Sequence, residues 1–510
     1  MKKHVLIALI ISALLVCNAI AKPGNVENGT KVYNKRCVWC HGEEGEGDGP
    51  AAERLNPPPR DFSSGMYKIK TTGFDDPVPN DEDIYRMIAE GMPGTAMPGW
   101  DDIISEQDMW DLVAYIKTFA GYEEEKPTDQ VDYGKQIQSS EDSIKKGKEL
   151  FIDRCSECHG EEGKGNAIKK LKDDLGFRTW PRNLTKPWTF RGSNDPRDIY
   201  SRISVGIHGT QMPSFADPAS KKKLSIEERW HVANYAASLA KTEKVVKGEN
   251  TVVKAEKLEG DLPHSPTDEK WASSEPTTFY LLPQIIAKDR FFTPSNDTIT
   301  LRAFYNDKEI SMLLEWDDRT KSIPGDSVAA NIADENLFED GVAVQLPLAI
   351  SDDPSDMEKP YFGMGDASNP VNVWHWKSGT TEKPEMIQLL NSKGFGAIEK
   401  RDAATVGLEA KSHYEKGAWR VVMKRPLTTA DGSTDLQIPT GRFVPIAFAA
   451  WDGSNSEKGS KHTMSTWYWL FLKPAAGADV YYIPLLVIAV IIGGEFWWFT
   501  TARRKNGKSA

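Results

Sequence analysis

Cys37-Val38-Trp39-Cys40-His41 and Cys155-Ser156-Glu157-Cys158-His159 are two copies of one short pattern, C-x-x-C-H. On one helical turn, two thiols at this spacing reach the two vinyl groups of a porphyrin, and the next residue presents an imidazole to the iron. A zinc site would place its Cys pairs about 15–20 residues apart without a His after each, and a thioredoxin-like redox pair also lacks the His. The pattern therefore predicts two covalent c-type haems. The predicted attachment residues and first iron ligands are Cys37, Cys40, His41, Cys155, Cys158 and His159.

The repetition continues well beyond these motifs. Four further pairs of segments match in the same order: 59–62 with 181–184, 83–85 with 198–200, 91–98 with 206–213, and 110–115 with 230–235. The last pair, WDLVAY and WHVANY, has helical spacing. We therefore expect two tandem, mainly α-helical domains at about 25–122 and 143–242. Both resemble class I c-type cytochromes.

The repeat also indicates the second axial ligand of each iron. Met97 and Met212 occupy equivalent positions and are each followed by Pro, whereas Met92 aligns with Ile207. His208 is a rival ligand in the second copy, but the first copy has Pro at that position. We therefore predict that Met97 and Met212 complete the two irons. Such His/Met ligation favours a higher reduction potential than ligation by two His and leaves no open coordination position, so the sites would carry electrons rather than catalyse a reaction.

Composition excludes other classes of protein. The 510 residues carry a net charge of −11, which argues against a nucleic-acid partner, and five Cys are too few for a disulfide scaffold. About three domains fit this length.

Both ends of the chain resemble membrane-targeting segments. Residues 1–21 combine two Lys, an apolar run and an A-x-A site, which predicts a secretory signal peptide. Residues 481–499 are apolar, with Tyr and Trp at their ends and basic residues after them, which predicts a C-terminal transmembrane helix and a cytoplasmic tail at 500–510. We therefore expect a single-pass protein of the cytoplasmic membrane with its body on the periplasmic side.

The region from 260 to 475 changes to a two-residue periodicity. Thr298–Tyr305 and 309–316 flank a polar tripeptide and predict a hairpin, and further strands are expected at 341–348, 418–423 and 442–451. Many short strands separated by turns favour an antiparallel β-sandwich. Neither a nucleophile–base arrangement nor a phosphate-binding loop occurs here, so we expect no catalytic residues.

Several elements of this region resemble a known family. FEDGVAVQLP at 338–347, GMGD at 363–366, PVNVWHW at 370–376, AAWDG at 449–453 and GSK at 459–461 are similar to the haem b-binding γ subunit of type II dimethyl-sulfoxide-reductase enzymes. That group includes ethylbenzene dehydrogenase, chlorate and selenate reductases and nitrite oxidoreductase. The resemblance implies one non-covalent b haem held by a Met and a Lys, which match Met364 and Lys461; His375 and His462 are rival ligands.

The resemblance further implies an electron-transfer subunit rather than an enzyme. It would pass electrons between molybdenum/iron–sulfur catalytic subunits and a redox partner of the respiratory chain. The alternative is a dihaem cytochrome c joined to a haem-free sandwich that binds a ligand such as carbohydrate, with Trp374 and Trp376 as an exposed aromatic surface.

Overall fold

We describe the protein from a computed structural model. The structure describes residues 24–240, 251–474 and 479–506, except for short internal gaps at 56, 94, 168, 177, 292–293, 334–335, 352–358 and 362. The predicted signal peptide, 1–21, lies outside the described residues.

Two helical repeats form the N-terminal half. The first contains α1 (Val26–Arg36), α2 (Val38–His41), α3 (Asp81–Glu90) and α4 (Glu106–Thr118). The second contains α5 (Glu141–Arg154), α6 (Ser156–His159), α7 (Pro196–Val205) and α8 (Ile226–Leu239). The segments predicted to be helical, 110–115 and 230–235, lie in α4 and α8.

The first and last helices of each repeat cross at a glycine. Gly29 in α1 and Gly147 in α5 each lie eight positions before the first Cys of their motif. A Cβ at Gly29 would collide with the carbonyl oxygen of Asp111 in α4, and a Cβ at Gly147 with that of His231 in α8. These two glycines therefore allow the close helix crossing that supports the motif helix.

The two repeats contact one another directly. The Arg86 guanidinium donates to both carboxylate oxygens of Asp198 at 2.8 and 3.0 Å. The ring of Phe74 stacks on that of His208 with 5.1 Å between centroids. The second repeat is thus held against the first through α3, α7 and their loops.

The β domain, residues 251–474, is a folded sheet. Its strands are β1 (Val252–Lys257), β2 (Thr277–Tyr280), β3 (Leu282–Pro283), β4 (Thr298–Tyr305), β5 (Glu309–Asp317), β6 (Gly341–Pro347), β7 (Val371–Lys377), β8 (Met386–Ser392), β9 (Ile398–Arg401), β10 (Glu409–Glu415), β11 (Ala418–Pro426), β12 (Phe443–Trp451), β13 (Thr463–Met464) and β14 (Tyr468–Leu472), with α9 (Ser327–Ile332) between β5 and β6. The order along the sheet is β10-β11-β5-β4-β1-β14-β12-β6-β7-β8-β9.

The two halves of this sheet face one another across an apolar core. Trp316 of β5 and Trp419 of β11 pack from one half against Trp376 of β7 from the other, with centroids 6.0 and 4.9 Å from the Trp376 ring. All three indoles are buried. The expected sandwich is therefore present, and it is formed by one curved sheet.

The predicted hairpin has the expected register. Tyr305 pairs with Ile310 across the turn. The Asn306 side-chain oxygen accepts from the backbone N–H groups of Lys308 and Glu309 at 2.9 and 2.8 Å, which explains why Asn begins this turn.

The expectation of a wholly antiparallel sandwich beginning near 260 is wrong in one element. β1 starts at Val252 and pairs in parallel with both β4 and β14. It lies in a stretch dominated by charged residues, where only Val253 and Ala255 are fully buried. Two small apolar positions were too weak a signal for a strand.

The C-terminal segment is helical. α10 (Asp479–Asn506) includes the whole predicted span 481–499 and has Glu495 within its apolar stretch. Judged by length and hydropathy together, none of the described helices would cross a membrane, so the predicted transmembrane helix is not confirmed.

Candidate haem sites

Each motif lies on a single helical turn. In the first repeat the His41 N–H donates to the carbonyl of Cys37 at 2.9 Å, and in the second the His159 N–H donates to that of Cys155 at 3.0 Å. Cys37 and Cys155 cap the short helices that carry Cys40 and Cys158. Both thiols and the imidazole are therefore presented by one turn, as the motif requires.

The imidazole of each motif is placed to bind a metal in its neutral form. His41 Nδ1 lies 3.1 Å from the carbonyl oxygen of Arg60, and its ring stacks on Phe62 with 4.6 Å between centroids. A donor bond from Nδ1 leaves Nε2 free as a ligand. Burial lowers the pKa of His41 and lowers that of His159 to about 4, so both imidazoles are neutral. Unlike that of His41, the buried Nδ1 of His159 has no hydrogen-bond partner among the described residues.

The methionine loops are duplicated in detail. The Thr95 hydroxyl donates to the Met92 carbonyl at 2.8 Å and accepts from the Met97 N–H at 3.2 Å. Thr210 makes the same two bonds to Ile207 and Met212, at the same lengths. The loop geometry therefore supports the equivalence of Met97 and Met212 on which their prediction rests.

The second repeat encloses a cavity of about 510 Å³. Its walls include Cys155, Cys158, His159 and Met212, so the four predicted residues of this site converge on one space. Ligand pockets have volumes of about 300–1,000 Å³, and a soft thioether opposite an imidazole suits haem iron. These residues therefore fit a c-type haem. The rival His208 instead stacks on Phe74 of the first repeat.

The walls of this cavity also come from outside the second repeat. Lys68 belongs to the first repeat, and Asp317, Arg319 and Gly417 belong to the β domain. The indole of Trp180 lies between two guanidinium groups, 4.0 Å from that of Arg178 and 3.8 Å from that of Arg319. The sequence analysis did not foresee this contact.

A buried ion pair joins the second repeat to the β domain. Lys186 Nζ lies 2.8 Å from a carboxylate oxygen of Asp317, and the Asn183 side-chain amide donates to the same oxygen at 2.8 Å. The Lys186 side chain is only 16% exposed. The β domain is thus held at the edge of the second haem cavity.

The proposed b-haem residues lie near one outer face of the sheet. Met364 packs on a cluster formed by side chains of β6, β7, β8, β12 and the chain before β14: Ala343, Val371, Val373, Leu390, Ala447, Ala449, Trp451 and Trp467. The φ of Met364 is 69°, which costs an L residue about 1–2 kcal/mol. Its backbone therefore adopts a strained conformation at a predicted ligand position.

Lys461 approaches the same face through its turn. The Trp451 indole N–H donates to the carbonyl of Gly459 at 3.0 Å, and the His462 ring lies 4.7 Å from that of Trp451. His375 lies 4.8 Å from Trp451, and burial lowers the pKa of His375 to about 3 and that of His462 to about 4. Both rival ligands are therefore neutral, and each has an electron pair that could bind iron.

This face fits a flat, mainly apolar group. Its small residues Ala343, Ala447 and Ala449 lie in one apolar cluster with Met364 and Trp451. Within the described part of the chain, Gln345 Nε2 and Trp467 Nε1 are buried without a hydrogen-bond partner. A thioether, an amine and two unused N–H donors suit a haem with polar edges.

Three buried carboxyl groups lie at adjoining strand ends, which sequence reasoning did not single out. Oxygens of Asp318, Asp340 and Asp452 lie within 4.8 Å of one another. Asp340 accepts from the Ser322 N–H at 2.6 Å and from the Trp419 indole at 2.9 Å, whereas Asp318 Oδ2 has no partner among the described residues. Burial, with the neighbouring Asp452 carboxyl, raises the pKa of Asp340 to about 8.

Comparison with protein families matches the domain order. Residues 26–120 and 144–240 match the cytochrome c family model. Residues 268–397 and 389–463 match the ethylbenzene dehydrogenase family model. The chain joins two cytochrome c domains to a domain of the ethylbenzene dehydrogenase family. The cytochrome c domains bind c-type haem, and the chain is an electron-transfer protein rather than a catalytic subunit, as expected.

Individual relatives are similar over part of the chain. A Haloferax mediterranei protein named as the haem subunit of a respiratory nitrate reductase is 28% identical over 46% of this chain and 76% of its own length. The chlorate reductase subunit gamma of Ideonella dechloratans is 32% identical over 35% of this chain and 65% of its own. A solved chain of the reducing HAO-like protein complex of Kuenenia stuttgartiensis is 39% identical, with a TM-score of 0.39, over 43% of this chain and 99% of its own.

One feature expected under the alternative function is wrong. Trp374 and Trp376 were expected on the surface of a carbohydrate-binding sandwich, but both indoles are 0% exposed. Each has a partner inside the domain: the Trp374 N–H donates to the Asn372 side chain at 2.7 Å, and the Trp376 N–H to Glu385 at 3.1 Å. Alternation placed both side chains on the core face of β7.

Proposed function

We propose that the protein is a three-haem electron-transfer subunit that connects a molybdenum/iron–sulfur catalytic partner with a redox partner of the respiratory chain. The observation that carries this proposal is the shared wall of the second cytochrome c cavity, to which Asp317 and Arg319 of the β domain contribute. An electron can therefore pass between this site and the β domain without crossing bulk solvent.

Haem supplies the one-electron chemistry when bound, and the protein residues hold it and exclude water. His41 with Met97 and His159 with Met212 would hold the two c-type haems. Met364 and Lys461 would hold the b haem, with the lysine as a neutral amine because only that form has a free electron pair. The repeats and the β domain lie in the order first repeat, second repeat, β domain, so we propose that electrons follow this order in one direction or the other.

Purification from the native host tests the partner. A tagged full-length chain should co-purify with a larger subunit, and elemental analysis should find molybdenum and iron beyond the haem iron. A tagged Lys186→Ala/Asp317→Ala variant, which lacks the ion pair between the second repeat and the β domain, shows whether recovery of the partner depends on that contact. If the full-length chain carries all of its haems and is recovered alone, without molybdenum, the proposed partner is wrong.

We also propose that the haem domains act outside the cytoplasm. The basic, apolar and A-x-A pattern of residues 1–21 supports this location. Protease added to spheroplasts should cleave the chain while a cytoplasmic marker stays intact. Protection of the chain until the cells are lysed would contradict the location.

A further inference from the structure

Four cationic side chains gather where the two cytochrome c domains meet. Arg60 and Lys68 come from the first domain, and Arg191 and Arg202 come from the second. The charges of Arg60 and Arg202 both act on Arg191, and those of Arg60 and Arg191 act on Lys68. Lys68, Arg191 and Arg202 line the cavity that carries His159 and Met212.

Part of this positive charge has no partner. Arg191 Nε and Arg202 Nη1 are buried, and their N–H groups donate to no acceptor among the described residues. Burial, with the charges of neighbouring arginines, lowers the pKa of Arg191 to about 9. Burial and the charge of Arg86 lower the pKa of Arg202 to about 10, against the opposing effect of Asp198 and Asp83. Clustered buried cations are unfavourable unless an anion completes the site.

The acidic residues of the cavity are largely engaged elsewhere. Asp198 receives two bonds from Arg86, at 2.8 and 3.0 Å, and a further bond from Ser193. Asp173 accepts from the Leu175 N–H at 3.1 Å and adds negative charge near Lys68. These carboxylates offset the cations only in part, so the cavity wall keeps an excess of positive charge.

We propose that Arg191 and Arg202, together with Lys68 of the first domain, form an anion subsite for the carboxylates of the porphyrin bound in the second domain. The inference rests on the c-type haem proposed at His159 and Met212. A guanidinium binds a carboxylate through two parallel N–H bonds, and two such groups with an ammonium match the two acidic side chains of a haem.

This subsite makes the two domains depend on one another. Lys68 reaches the cavity from the first domain, so the bound carboxylates would connect the domains in addition to the Arg86–Asp198 pair. Nearby positive charge also favours the reduced state of a site, because reduction lowers the positive charge on the metal. Removing these cations should therefore lower the midpoint potential of the second haem and leave the first unchanged.

The test is a redox titration of the full-length holoprotein. Arg191→Gln/Arg202→Gln should shift the midpoint potential of one c-type haem downward, and Lys68→Gln should shift the same haem by less. Arg191→Lys/Arg202→Lys should stay close to the parent because it keeps the charge. Arg54→Gln removes an exposed cation of the first domain and is the matched control.

A background that lacks the second haem identifies the affected site. In a Cys155→Ala/Cys158→Ala protein, Arg191→Gln should not change the remaining potential. The inference is overturned if Arg191→Gln/Arg202→Gln, with both c-type haems still attached by haem staining, titrates like the parent, or if Arg54→Gln causes an equal shift. Loss of the second haem from the Gln variant but not from the Lys variant would support it. Haem content is scored separately, so failure of the subsite is distinguishable from failure of the proposed haem.

Discussion

At the scale of single residues, the methionine of each loop should raise the reduction potential of its c-type haem. A thioether opposite an imidazole gives a higher potential than two imidazoles. Met212→Ala should therefore lower one midpoint potential and remove about half of the methionine–iron charge-transfer band near the red end of the oxidised absorption spectrum. Met97→Ala should do the same for the other haem.

Met92 provides the control for this prediction. It lies in the first methionine loop, and its N–H donates to the Met97 carbonyl at 3.0 Å, but its equivalent in the second loop is Ile207. Met92→Ala should keep the full band. A full band in Met97→Ala, combined with a halved band in Met92→Ala, would show that the ligand was assigned to the wrong methionine.

Lys461 is the residue on which the third haem depends. Lys461→Ala should selectively remove or alter the b-type absorption and leave both c-type haems intact. Lys461→Arg should fare no better, because a guanidinium stays protonated and cannot donate an electron pair. Optical spectra of the reduced protein measure both effects.

The neighbouring histidine is the matched control for Lys461. His462→Ala should retain the b-type spectrum if lysine is the ligand, since the imidazole then packs on Trp451 and bonds to the Gly459 carbonyl without binding iron. Loss of the b-type spectrum in His462→Ala, with a normal spectrum in Lys461→Ala, would assign the ligand to histidine.

At the scale of strands and their ends, the buried carboxyl groups predict a pH-dependent stability. The folded pKa of Asp340 is raised to about 8, above the unfolded value of about 3.9. Between these values the folded protein holds a proton that the unfolded chain has lost. The free energy of unfolding of the β domain should therefore fall as pH rises from about 4 to 8, by at most about 1.4 kcal/mol per pH unit for one proton.

Asp318→Asn tests whether the buried carboxyl groups at the ends of β5, β6 and β12 cause this pH dependence. Burial and the neighbouring Asp340 and Asp452 carboxyls raise the pKa of Asp318 as well. The amide therefore removes a second carboxyl group that holds a proton in the folded state, and it can donate towards Asp340, so the decline of stability with pH should become shallower. Denaturant unfolding at pH 5 and pH 8, followed by tryptophan fluorescence, measures it because Trp419 contacts Asp340 directly. An unchanged slope in the variant, or a parent more stable at pH 8 than at pH 5, would refute this account.

The strands also show what sequence patterns can and cannot predict. The β4–β5 hairpin was predictable because strong two-residue alternation and an Asn turn lie next to each other in sequence. β1 was not, since its partners β4 and β14 are distant in sequence and its buried residues are few. Trp374 and Trp376 show a second limit: alternation tells which residues share a face of a strand but not which face is buried.

At the scale of the whole molecule, the Lys186–Asp317 ion pair should contribute measurably to the contact between the second cytochrome c domain and the β domain. Asp317→Ala leaves the Lys186 ammonium without its partner in a mostly buried position. We expect a loss of about 1–3 kcal/mol of stability, less than for a fully buried pair because Asp317 is 31% exposed. Thermal unfolding followed by calorimetry measures this loss.

An exposed pair of the same length provides the comparison. Lys31 and Glu27 also lie 2.8 Å apart, but their side chains are 68% and 81% exposed. Glu27→Ala should change stability little. Equal losses in Glu27→Ala and Asp317→Ala would show that the interface pair has no special role.

The haem-site residues were predictable to different extents at this scale. Duplication of a rare motif allowed the residues around the second cavity to be predicted from sequence. A residue is a candidate ligand only if the equivalent position in the other copy has the same residue type. The wall that Arg319 and Lys68 complete was not predictable, since it depends on how separate domains pack. The glycines at 29 and 147 could have been found, because both precede their motif by the same spacing.

The most direct test of the three-haem account is pyridine haemochrome quantification of the purified full-length protein, which separates b-type from c-type haem. The account predicts two c-type haems and one b-type haem per chain. Two c-type haems and no b-type haem in a well-folded preparation would contradict it and leave a dihaem cytochrome c attached to a haem-free sandwich.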